Sequence, residues 1–137
     1  MNLYAIFVAA ATMFVIGFLM HGPLFGKTWM KLANVHPTGK EKLSDMIPQM
    51  TWNFIANLVA AFVLAGVLWM AFSSQAMGEI AWYKGLIVAA WMWIGFIVTS
   101  SSNEVIWMKR NIKLWLFECG STLLQLGAMG IILSIWK

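Results

Sequence analysis

The sequence has 137 residues, 61% of them apolar and only 10% charged, with nine basic residues against five acidic ones. A water-soluble domain carries about a quarter charged residues, so this chain has too few to cover a solvated surface. The net +4 lies in short segments beside apolar runs, which points to membrane topology rather than to nucleic acid as a partner.

About 20 apolar residues carry a helix across ~30 Å of hydrocarbon, and four stretches meet that length. The first is Leu3 to Gly22, in a region without charge up to Lys27. It lacks a basic start and a small-x-small cleavage site, so it reads as a retained span and not a leader. Gly22 and Gly26 stand four apart, and Pro23 between them ends or kinks the helix near the interface. The segment Lys27 to Met50 follows as the one sizeable water-facing loop, spotted with Trp29, Met30, Leu32, Leu43, Met46 and Ile47 and divided by Gly39 and Pro48. Lys40, Glu41, Lys42 and Asp45 suit a short interfacial helix, placed either as a lid or as a plain surface linker, and His36 beside Pro37 is expected exposed.

The second span is Trp52 to Phe72, where Ala56 and Ala60 offer a flat face to a neighbour. The third is about Gly85 to Met108 and the fourth about Ile112 to Trp136, with Gly127 and Gly130 as small residues. Only Lys109, Arg110 and Asn111 separate these two, which forces them to be antiparallel neighbours with ends that fray into the turn. Strict apolar–polar alternation is absent, which argues against a barrel. The fold class is therefore all-α: a polytopic membrane protein, one domain over residues 1–137, built as a four-transmembrane-helix bundle in the lipid bilayer.

Gly17-Phe18 with Trp29-Met30-Lys31 matches Gly95-Phe96 with Trp107-Met108-Lys109 at an offset of 78 residues. Two parallel helical-hairpin repeats would give that pattern; so would chance in a chain rich in Trp, Met, Gly and Phe. Seven basic residues (27, 31, 40, 42, 109, 110, 113) fall on one side of the spans and two, Lys84 and Lys137, on the other. By the positive-inside rule both termini face outward and the 27–50 loop faces the cytoplasm. Most of the nine Trp residues fall near span ends, the usual level for amphipathic rings, while Trp91 and Trp93 lie deeper.

Polar residues of all four spans gather at the cytoplasmic end. At 1.5 Å per residue Glu104 lies about 6 Å, and Glu118 about 9 Å, from that end. His21 closes span 1, Asn53 and Asn57 share one face near the start of span 2, and Ser100 shares a face with Glu104 near Asn103. Thr122 follows Glu118 by one turn, and Gln125 continues the stripe. One reading makes His21, Asn53, Asn57, Ser100, Asn103, Glu104, Glu118 and Thr122 a cytoplasm-facing pocket for an ion or small polar ligand. The other makes them interhelical glue, with Glu104 pairing with Lys109 or Arg110.

Chemistry of other kinds lacks its residues. No H-E-x-x-H, C-x-x-C or Glu-x-x-His pairing supplies a metal site, and no cofactor is implied. The lone Cys119 excludes an internal disulfide and has no base at a defined spacing. Ser100 to Ser102 form no nucleophile elbow. An enzyme is the least favoured class.

The motif Gly17-Phe-Leu-Met-His21-Gly-Pro23-Leu-Phe25-Gly26-Lys27-Thr-Trp29-Met30 resembles the signature of a family of small bacterial and fungal membrane proteins, DUF1761, with its Pro-x-Phe-Gly-Lys-x-Trp block at the end of the first span. Leu114 to Leu133, with Gly120 and Gly127-Ala-Met-Gly130, is similar to the family's last span. The resemblance implies four spans and no known activity. Two functions therefore compete: a small transporter or ligand-binding membrane protein, and a structural or accessory subunit without a ligand of its own. A narrow bundle with small-residue faces also suggests a homodimer.

Overall fold

The structure is a computed structural model; it describes residues 1–35, 43–74 and 78–136. All described regular structure is helical: α1 (Leu3–His21), α2 (Gly26–Ala33), α3 (Leu43–Ser73), α4 (Trp82–Met92), a π-helical segment (Trp93–Val98), α5 (Thr99–Ile106) and α6 (Ile112–Ile135). Four helical stretches are long and apolar enough to cross a membrane: α1, residues 44–73 of α3, the continuous run 82–106, and α6. The protein is thus a four-span all-α membrane protein.

Span α6 is the hub. It packs on both α1 and α4 and buries residues along its whole length, from Leu114 to Ser134. Its tightest contact is with α4. A Cβ added at Gly85 would lie 2.1 Å from the Gly130 carbonyl oxygen, and one at Gly130 would lie 2.5 Å from that of Gly85. Gly85 with Ala89 on one helix and Gly130 with Ser134 on the other are small residues one turn apart. In lipid, where apolar side chains gain nothing by leaving water, such close backbone contact is a main source of helix association. On the other flank Ala9, Ala10, Ala61, Leu64 and Leu68 join α1 and α3 to Leu126 and Met129 of α6.

Helix bounds depart from expectation at three places. The second span begins well before Trp52: α3 starts at Leu43 and contains Pro48. Pro48 lies inside the helix, where it gives up the hydrogen bond to the Ser44 carbonyl and its ring crowds that carbonyl. At 31 residues, α3 is about 46 Å long, more than the hydrocarbon thickness, so its start projects beyond the apolar layer or the helix tilts. The third span starts at Trp82 and stops at Ile106, which leaves a five-residue turn, Trp107–Asn111, before α6. There the extra length is used: Lys109 takes a left-handed backbone (φ 52°), Arg110 N–H bonds the Glu104 carbonyl at 3.1 Å, and the Asn111 side chain caps α6 by accepting from Lys113 N–H at 3.0 Å. Finally, the first loop contains α2, an amphipathic helix with Lys27 and Lys31 exposed and Trp29 and Met30 half-buried. The expected interfacial helix involving Lys40, Glu41 and Lys42, and the exposure of His36, lie outside the described residues; Asp45 belongs to α3.

The 78-residue repeat does not extend to local structure. Trp29-Met30-Lys31 is helical in α2, whereas Trp107-Met108-Lys109 forms the turn after α5. Gly17 packs against Gln125, whereas Gly95 sits in the π segment with open space beside it.

Candidate functional site

The turn after α1 builds the site. Gly22 adopts φ −127°, ψ −104°, and an added Cβ would lie 2.8 Å from the Phe18 carbonyl oxygen. Leu24 N–H bonds the Leu19 carbonyl at 3.0 Å and Gly26 N–H the Gly22 carbonyl at 2.8 Å. Gly26 is buried, with His21 O only 3.1 Å from where its Cβ would be. This compact reversal folds α2 back over the end of α1 and brings Trp29 beside His21, ring centroids 5.3 Å apart.

Glu118 of α6 is the centre of the assembly. Its Oε1 accepts from the Trp29 indole N–H at 2.8 Å. His21 Nε2 lies 3.0 Å from Oε1 and 3.1 Å from Oε2. His21 Nδ1 lies 2.9 Å from the Gly17 carbonyl oxygen. A carbonyl only accepts, so Nδ1 carries a hydrogen. Nε2 then faces the carboxyl group as a bare lone pair unless a further proton lies between them. The geometry therefore calls for one shared proton in the His21–Glu118 pair. Phe117 packs edge-on against both His21 and Phe25, at 5.6 and 6.1 Å. The pair is not sealed: the side chains of His21 and Glu118 are 28% and 31% exposed.

Further along α6, Gln125 is buried, donates to Ser121 Oγ at 3.1 Å and lies against Gly17 of α1. Thr122 turns to the third span instead. Trp93 Nε1, the first residue of the π segment, donates to the Cys119 carbonyl at 2.8 Å and to Thr122 Oγ1 at 3.2 Å. Trp115 Nε1 donates to Ser101 Oγ at 2.9 Å. Cys119 is buried and lies 3.9 Å from that same hydroxyl.

The remaining candidates are held elsewhere. Glu104 forms an ion pair with Arg110 across the α5–α6 turn, both side chains exposed. Asn57 is 6% exposed and donates to Asn53 Oδ1 at 3.3 Å; Asn53 and Asn103 are exposed. Ser100 bonds back to the Phe96 carbonyl, as Thr99 does to Gly95 O at 2.6 Å and Ser101 to Ile97 O at 2.6 Å. Ser102 bonds the Thr99 carbonyl at 2.6 Å, so all four hydroxyls of the run 99–102 bond back to carbonyls of their own helical run, the first three to carbonyls of the π segment. The structure thus joins His21 to Glu118 and adds Trp29. It puts Thr122 one turn along the same face of α6 but bonded to Trp93 of the third span, and gives Glu104, Ser100 and the Asn53–Asn57 pair separate partners.

Among the described residues no three His, Cys, Asp or Glu side chains are grouped to hold a metal ion. Nor does any buried side-chain nitrogen or oxygen there lack a hydrogen-bond partner. Trp29 was within reach of sequence reasoning, since it belongs to the Pro-x-Phe-Gly-Lys-x-Trp block, but its ring suggested an interfacial anchor rather than a donor to a carboxylate.

A family model described as a protein of unknown function, DUF1761, matches residues 4–134. No curated protein and no solved structure matches the chain.

Proposed function

This chain belongs to the DUF1761 family, and we propose that it is an accessory membrane protein whose polar residues fasten the spans at one end instead of opening a ligand pocket. The observation that carries this reading is the engagement of Glu118, which accepts from Trp29 and His21 at 2.8–3.1 Å. These bonds tie α1, α2 and α6 together. Interhelical bonds of this kind contribute roughly 0.6–2 kcal/mol each in membranes. The reading includes an orientation: α2 and the α5–α6 turn on the cytoplasmic side of a bacterial inner membrane and both termini outside, supported by the seven-to-two distribution of basic residues. It also includes a homodimer, which cross-linking in native membranes tests; only monomer would reject it.

One observation favours a second reading, an ion- or polar-ligand-binding protein: His21 and Glu118 remain about 30% exposed. A thermal-shift screen of the purified protein with monovalent and divalent salts and small polar metabolites separates the two. Binding stabilises the folded state by mass action. The accessory reading expects no stabilisation by any of these. A ligand that stabilises the native protein but not Glu118→Gln would overturn it in favour of the second.

A further inference from the structure

The end of the bundle that holds His21 and Glu118 also carries a basic surface. Lys27 and Lys31, one turn apart on α2, are exposed. So are Lys109, in the turn before α6, and Lys113, in the first turn of α6. Helix α2 packs on α6, where Phe25 meets Phe117 edge-on at 6.1 Å, and Lys113 lies one turn before Phe117. The two pairs of lysines thus stand on segments that meet at the start of α6. Acidic residues do not neutralise them. Neither α2 nor α6 has an acidic residue in its first turn. Glu104 is paired with Arg110 and Glu118 with His21. Asp45 belongs to α3, which among the described residues packs against neither α2 nor α5. None of the four lysines forms an ion pair among the described residues.

Apolar side chains stand among these lysines. Leu24 and Phe25 precede Lys27 and are 63% and 45% exposed, and Trp107 and Met108 precede Lys109 and are 80% and 76% exposed. A polynucleotide or a soluble acidic protein would pair with the charges and leave these side chains in water. A membrane surface takes up both kinds of group, because head groups there adjoin acyl chains. The four apolar spans end at that surface. Lysines beside a span or on an amphipathic helix attract anionic lipid, each adding to the attraction. The basic bias of the loops decides only on which side they stay, whereas the mixing of lysines with exposed apolar side chains selects a lipid as the anion. We propose that α2 and the start of α6 form a binding surface for anionic phospholipid, with Lys27, Lys31, Lys109 and Lys113 at its head-group phosphates and Leu24, Phe25 and Trp107 against its acyl chains.

The test places the full chain in phosphatidylcholine bilayers with a trace of spin-labelled phosphatidylglycerol or spin-labelled phosphatidylcholine. Electron paramagnetic resonance reads the fraction of each lipid held at the protein surface. The native protein should hold phosphatidylglycerol about threefold or more tightly than phosphatidylcholine. About 1 M NaCl, which screens charges within about 3 Å, should remove the preference. Lys27→Gln, Lys31→Gln, Lys109→Gln and Lys113→Gln together should remove it too, whereas Lys→Arg at the same four positions should keep it. Lys84→Gln, at the opposite end of the bundle, should leave it unchanged. The Lys27/Lys31 and Lys109/Lys113 double variants should each lower it, and they decide the matter should the fourfold variant fail to fold. Equal hold of both lipids by the native protein overturns the proposal, as does a preference that survives the Gln substitutions in a folded variant or falls equally with Lys84→Gln. Loss of the preference in inorganic phosphate, at an ionic strength where chloride preserves it, also overturns the proposal, since the surface then selects a free anion.

Discussion

Removing the Glu118 side chain is the most direct perturbation of the polar assembly. Glu118→Ala leaves the Trp29 indole N–H and the His21 ring without their partner, at the 2.8–3.1 Å positions they now occupy. A hydrogen bond to a charged group contributes roughly 1.5–3 kcal/mol when buried. With about a third of the carboxylate exposed, solvent and head groups recover part of that, so the expected loss is about 2–3 kcal/mol. His21→Ala should cost about 1–2 kcal/mol, since Trp29 still bonds Glu118. The double variant should cost less than the sum, with a coupling of about 1 kcal/mol. Glu118→Gln separates hydrogen bonding from charge. Its amide oxygen accepts from Trp29, and its NH₂ donates to Nε2 of a neutral His21, replacing the shared proton. It should therefore lose no more than about 1 kcal/mol. Reversible unfolding in mixed micelles with increasing SDS, followed by far-UV circular dichroism, measures all four. Additivity within about 0.3 kcal/mol in the His21/Glu118 cycle, or Gln as harmful as Ala, would refute the shared-proton geometry.

Gly130→Ala should destabilise by about 3 kcal/mol or more in the same assay, because rigid backbone stands where the new Cβ must go. Gly66→Ala, with open space around it, should be neutral or stabilising by up to about 1 kcal/mol, and an equal loss at both sites would contradict the packing described. Gly22→Ala should cost about 1–3 kcal/mol and speed hydrogen exchange of the Trp29 indole, read by NMR, since the turn that places α2 can no longer close; unchanged exchange would show that α2 does not depend on it. In a Cys119→Ser background, Lys31→Cys should resist a membrane-impermeant maleimide added to whole cells while Glu79→Cys reacts; the reverse pattern would invert the orientation.

The architecture was legible because bilayer thickness reduces it to counting. Sparse charge and four apolar runs left helices as the sole economical solution, and the bounds of α6 were read to within a residue. The errors fall where length alone does not decide. Pro48 was read as a divider, but α3 runs through it. The π segment leaves no mark in composition, and Gly95 was indistinguishable from any other glycine. The hydroxyls at 99–102 read as polar lining for a pocket, whereas they bond back to carbonyls of their own helical run.

The polar assembly was legible in its residue types but not in its pairings. Depth along each helix put His21 and Glu118 in the same half of the bundle, where the structure brings them together. Depth and face do not say which neighbour a side chain meets: Glu118 bonds His21 and Trp29, while Thr122, one turn on along the same face, accepts from Trp93 of the third span. Glu104 lies near Glu118 in depth, but of its two readings the pairing with Lys109 or Arg110 is the one the structure bears out, since the five-residue turn brings Arg110 back to it. Indole N–H groups were the largest omission. Trp29, Trp93 and Trp115 each donate to a residue of another helical segment, although the same residue type marks the interface elsewhere in the chain. A tryptophan in a membrane helix is a large apolar ring with one strong donor, and sequence position does not reveal which property will be used. Where an α2 turn carries that donor back over a span end, the ring becomes part of the polar assembly. This is why the Gly22-to-Trp29 segment is both the most recognisable stretch of the sequence and the one that builds the site.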